Sequence, residues 1–128
     1  MTTRLLRTLG TPTDQKIFTW SAWVKRTRLG SDMALFNSNN AGSTNVTMRF
    51  DSDDTLHFFY ISSSSYAYRI QTTAKFRDVS AWYHLVFIQD TTQSTAGDRL
   101  QIYVNGERQT SLQNVLSPSL NATTNMNS

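Results

Sequence analysis

The chain has no cysteine, one glutamate, three lysines and two prolines in its 128 residues. Without thiols there can be no disulfide, no thiolate nucleophile and no cysteine-based zinc site. Small secreted domains are often cross-linked, so a cysteine-free chain points to folding in a reducing compartment. No apolar run approaches the roughly 20 residues that span a bilayer, and no membrane insertion is expected. Met1–Leu9 alternates charged and apolar residues and lacks the apolar core of a secretion signal. Neither a G-x-x-x-x-G-K phosphate loop nor a G-x-S-x-G nucleophile elbow occurs. The only histidines, His57 and His84, read as strand residues held in place by their neighbours.

Charge of one sign is in modest excess. Nine arginines and three lysines against nine acids give a net charge of +3. The cations are scattered, with one short knot at Lys25-Arg26-Thr27-Arg28. Dispersed charge of this size argues against a nucleic-acid partner. The knot reads as a solvated loop following a strand.

What the chain does have is β-forming sequence. Serine and threonine make up about a quarter of it, helix formers are sparse, and aromatic and β-branched residues fill the ordered-looking stretches. Its length suits one domain with one core. Ile17–Lys25 alternates, with Phe18, Trp20, Ala22 and Val24 on one parity and Ile17, Thr19, Ser21, Trp23 and Lys25 on the other. One apolar and one mixed face is the pattern of a sandwich strand. Further strands are expected at Met33–Asn37, Asn45–Phe50, Thr55–Ser62, Tyr66–Ile70, Ala81–Asp90 and Arg99–Val104, with a weaker one near Arg4–Thr8. Turn clusters separate them at Ser38–Ser43, Asp51–Asp54, Ser62–Ser65 and Thr91–Gly97. Asn105-Gly106 predicts a two-residue hairpin turn, because both turn positions need positive φ, with a return strand at Glu107–Leu112. Beyond Leu112 the alternation fades, and Ser117-Pro118-Ser119 onward reads as loop or tail.

Two segments together carry a family resemblance. FTWSAWVKR (Phe18–Arg26), and WYHLVFIQD followed by a loop and DRLQIYVNGERQ (Trp82–Gln109), resemble the early strand and the central strand-plus-hairpin of concanavalin A-like, laminin-G-like jelly rolls. The resemblance covers about residues 5–112. The Thr-Thr-Gln loop and the Asp-Arg strand start resemble domains of marine phage structural and tail-fibre proteins. The fold expected is an all-β antiparallel two-sheet jelly-roll sandwich over residues 1–116, incomplete at the C-terminus, with 117–128 a loop or tail leading to an absent part. Sandwiches of this sort commonly run to about 200 residues. The usual closing strands are not found, so cover from a continuing chain or a neighbouring subunit is expected.

A non-enzymatic role is expected. Two readings stand. One is a virion structural or adhesion module, partnered by other virion proteins or copies of itself and touching host glycans. The other is a carbohydrate-binding module of a secreted or cell-surface, extracellular protein. Related glycanases carry paired glutamates on one strand, whereas the single Glu107 here follows a turn. Family members often hold calcium at a sandwich rim. Asp51, Asp53 and Asp54 are the densest carboxylate group for one, although Asp is also an ordinary turn residue. No other cofactor is expected. Sugar stacking needs exposed rings, and Tyr60, Tyr66 and Tyr68 flank the Ser62–Ser65 turn as candidates. Most of the 15 aromatics are expected in the core.

Overall fold

The computed structural model describes residues 10, 11, 13–40 and 44–124. Among the described residues nine strands form two antiparallel sheets, with one 3-10 turn at Ala96–Asp98. The strands are β1 (Ile17–Lys25), β2 (Met33–Asn40), β3 (Thr44–Phe50), β4 (Thr55–Ser62), β5 (Ser65–Lys75), β6 (Trp82–Asp90), β7 (Leu100–Val104), β8 (Glu107–Arg108) and β9 (Leu112–Leu116). The first sheet runs β1-β6-β7-β8 and the second β2-β3-β4-β5-β9. The all-β sandwich expected from the alternating pattern is the fold observed.

The core lies between the sheets and is built by strand parity. Tyr83, Leu85 and Phe87 of β6 and Leu100, Ile102 and Val104 of β7 face Val46, Met48 and Phe50 of β3, Leu56, Phe58 and Tyr60 of β4, and Tyr68 and Ile70 of β5. Phe18, Trp20 and Val24 of β1 pack against its margin. Aromatic edges organise the centre: Phe58 meets Phe87 at 5.8 Å and 75°, and Tyr68 at 6.1 Å and 82°.

Four elements differ from expectation. β2 runs on through Ser38, Asn39 and Asn40, where a loop was expected, because pairing with β3 continues to Asn40↔Thr44. β5 extends past Ile70 to Lys75, since the polar Gln71 and Thr72 are buried and satisfied there. The Thr72 hydroxyl accepts the Leu56 amide at 3.0 Å, beside a register shift in the β4–β5 ladder. Asn105 and Gly106 do form the hairpin tip, with φ of 51° and 82°, and Val104 pairs with Glu107. The return strand, however, is only Glu107–Arg108. The chain then crosses to the other sheet, where Leu112–Leu116 pairs with β5. Strand structure therefore continues beyond Leu112. The Arg4–Thr8 strand lies outside the described residues.

Residues 117–124 pack against one end of the sandwich. Pro118 and Thr124 are buried. The Arg99 guanidinium donates to the Pro118 carbonyl at 2.9 Å, and Thr91 Oγ1 donates to the Ala122 carbonyl at 2.8 Å. Gln89 Nε2 donates to Thr124 Oγ1 at 3.0 Å.

Candidate functional site

Of the three candidate tyrosines, two are core. Tyr60 and Tyr68 occupy the inner parity of β4 and β5 and stack on each other at 5.1 Å. The Tyr68 hydroxyl donates to Gln89 Oε1, and burial pushes its phenol pKa well up. Neither ring can meet a ligand. Parity explains the error: nearness to a turn does not expose a ring whose position in the strand points inward. Tyr66 sits on the outer face of the five-stranded sheet and is 39% exposed. It lies edge-on to Phe59 at 5.5 Å, with the Arg69 guanidinium 4.4 Å from its centroid.

Asp51, Asp53 and Asp54 do not converge. Asp51 accepts from Arg49, from His57 Nδ1 at 2.9 Å and from Gln71 at 3.0 Å. Burial raises its pKa, but the His57 and Arg49 contacts outweigh that and leave it lowered. Asp53 caps the next strand through the Thr55 amide and hydroxyl. Asp54 turns the other way. It takes the Gly30 amide at 3.0 Å and ion pairs with Arg26 and Arg77, both at 3.0 Å. These carboxylates serve as turn and ion-pair residues, each committed to separate donors. Among the described residues no group of three or more His, Asp or Glu side chains is placed to hold a metal ion.

The exposed aromatic surface lies elsewhere, on the outer face of the four-stranded sheet. Trp23 of β1 is 66% exposed and Trp82 of β6 is 58% exposed. The register pairs Trp23 with His84 and Lys25 with Trp82. Both tryptophans therefore share one face and stand diagonally across adjacent strands, a spacing long side chains bridge. The Trp23 ring contacts the His84 imidazole at 5.0 Å. His84 is thus a half-buried member of the outer face. Its backbone is pinned by the hairpin tip: its amide donates to Asn105 Oδ1 at 2.9 Å, and the Asn105 amide donates to its carbonyl at 2.8 Å. The same face continues through Ser21, Val86 and Tyr103, then Thr19, Ile88 and Gln101, to Ile17 beside Asp90.

This surface went unread in the sequence, yet a signal exists. Trp23 falls on the mixed parity of β1 with Lys25. Trp82 falls on the parity opposite to the buried Tyr83, Leu85 and Phe87. A tryptophan on the solvent parity of two neighbouring strands marks an outward ring. A shallow cleft at the sandwich end is lined, among the described residues, by the polar side chains of Thr11, Thr13, Asp14, Gln15, Lys16 and Thr123.

Residues 5–128 match the family model described as the concanavalin A-like lectin/glucanases superfamily. The chain belongs to that superfamily. Comparison with curated proteins and with solved structures returns no match. Domains of the concanavalin A-like superfamily can bind carbohydrate. In this chain Trp23 and Trp82 are the most exposed aromatic rings among the described residues.

Proposed function

We propose that the chain is a non-enzymatic adhesion module that holds carbohydrate on the outer face of its four-stranded sheet, with Trp23 and Trp82 as stacking rings. The observation that carries this reading is the exposure of two tryptophans on one face. Large aromatics are normally withdrawn from water, and contiguous exposed apolar surface marks an interaction site. Tryptophan gives a broad apolar face and an N–H donor at its edge, which suits a pyranose whose C–H bonds line one side and whose hydroxyls ring the other. Both rings stand well exposed on a sheet face. Enclosed pockets suit small ligands, whereas an open face suits a glycan chain or a glycosylated surface.

The same face supports a binding role over hydrolysis. Glycoside cleavage needs two carboxyl groups flanking the scissile bond. Asp90, the carboxylate on this face of β6, stands eight residues from Trp82, about 26 Å along the strand. Glu107 shares the parity of the core residue Val104. We place the module on a virion surface, in a fibre or spike. A cysteine-free chain fits a protein that folds in a reducing cytoplasm and acts outside it.

A glycan array tests the binding role. The intact chain is expected to retain specific glycans, and W23A and W82A each to lose them while keeping the wild-type melting temperature. Unchanged retention by both variants would refute the platform. A symmetric oligomer that buries both tryptophans would make this face a contact between copies instead.

A further inference from the structure

We propose that the Trp23–Trp82 platform selects carboxylated glycans, with Lys25 as the cation that pairs with the sugar carboxylate. This rests on the carbohydrate reading above and adds the chemical class of the ligand. The distribution of charge over the face favours such a ligand. Lys25 is the register partner of Trp82 and so projects from the same face beside that ring. It forms no ion pair among the described residues. The nearby carboxylate, Asp78, is held mainly by its own turn, with a smaller through-space attraction to Lys25. Its Oδ1 accepts from the Ser80 amide at 2.8 Å, the Ser80 hydroxyl at 2.6 Å and the Ala81 amide at 3.2 Å.

The other charges confirm the polarity. Asp90 lies at the far end of the face, about 26 Å from Trp82, and its carboxylate accepts from Thr92 and Gln93. Arg108, opposite Tyr103 on the far edge, is already paired with Asp98 at 2.7 Å. His84, between Trp23 and the hairpin tip, makes no side-chain hydrogen bond among the described residues, and it adds ring nitrogens to the same end. Among the described residues, the tryptophan end of the face therefore pairs two stacking surfaces with one cation that makes no close ion pair and acts on the turn-bound Asp78 only through space.

A neutral sugar would use the rings and leave the ammonium idle. A sugar acid lying on Trp82 would bring its carboxylate to Lys25, in a charge-assisted hydrogen bond stronger than a neutral one. The pair is solvent-exposed, so its contribution falls with salt. Uronic and sialic acids share this chemistry, and the test separates them.

Binding of the intact chain is measured to polygalacturonate and to a sialic acid-terminated oligosaccharide, each beside its methyl-esterified form. The wild type is expected to prefer the free acid of at least one pair by about tenfold, with the preference shrinking as salt rises. In K25M the acid-to-ester ratio falls to about one. Equal binding of acid and ester by the wild type, or a preference that survives in K25M, would overturn the inference while leaving the platform standing. Retention of no glycan of any kind would sink the platform itself.

Discussion

Asp54 shows how one carboxylate organises a loop region of this sandwich. It adopts a φ of 70° at the end of the β3–β4 turn. There its carboxylate gathers the Gly30 amide and the Arg26 and Arg77 guanidinium groups. Arg26 is fully buried, lies 4.4 Å from the Phe50 centroid and donates to the Phe76 carbonyl. Removing one member of such a buried pair strands the other, so R26A is expected to lower stability by about 3–5 kcal/mol in urea denaturation. The Gly30 hydrogen bond, and after it Arg77 and Arg26, hold the Asp54 carboxyl down at about 2 against an ordinary 3.8, despite burial acting the other way. A depressed carboxylate pKa stabilises the folded state above the unfolded value and ceases to do so as pH falls through the folded one. Stability should therefore decline between about pH 4 and about pH 2, and D54N should flatten that part of the urea-midpoint profile. An unchanged profile in D54N would count against this network. At this scale the sequence was partly legible. Asp51, Asp53 and Asp54 stand out as a turn, but nothing local reveals that Arg26, far back in the chain, reaches Asp54.

Individual strands were legible wherever apolar residues alternate. The β7–β8 tip is the clearest case, since Asn105-Gly106 supplies the two positive-φ positions the turn requires. At Gly106 a Cβ would meet nothing within 4 Å, so the cost of G106A is conformational. A loss of about 1–2 kcal/mol is expected in equilibrium unfolding. A neutral outcome would mean that the turn relaxes. The strands that escaped notice are those whose polar groups are satisfied inside the fold. Gln71 and Thr72 lie beyond the expected strand end at Ile70, yet both are buried in β5, where Gln71 bonds Thr55 and Asn114, and Thr72 bonds Leu56. In β9, Asn114 takes a φ of 50°, which breaks the alternation that would have announced the strand. Burial of a polar side chain depends on partners distant in sequence, and periodicity carries no trace of them.

Over the whole molecule, the two sheets are tied at one end by a polar chain running from Tyr68 through Gln89 to Thr124. Gln89 is fully buried. T124V keeps the shape but leaves the Gln89 amide nitrogen without its acceptor, and a loss of about 1–3 kcal/mol is expected. The sandwich class follows from the alternating strands. The functional face was harder to see, because an outward tryptophan and a core tryptophan look alike until strand parity is compared between neighbours. Trp23 and Trp82 are the ligand surface proposed above, and the chain's three tryptophans allow a direct measurement. Each gives one indole N–H signal in a nitrogen–proton correlation spectrum, and Trp20, packed 5.7 Å from Phe87 on the inner face, serves as the internal control. Titration with the best-retained array glycan should move the Trp23 and Trp82 signals and leave Trp20 in place. Binding that shifts residues around Tyr66 and Arg69 while all three indoles stay still would contradict the assignment of the ligand surface to Trp23 and Trp82.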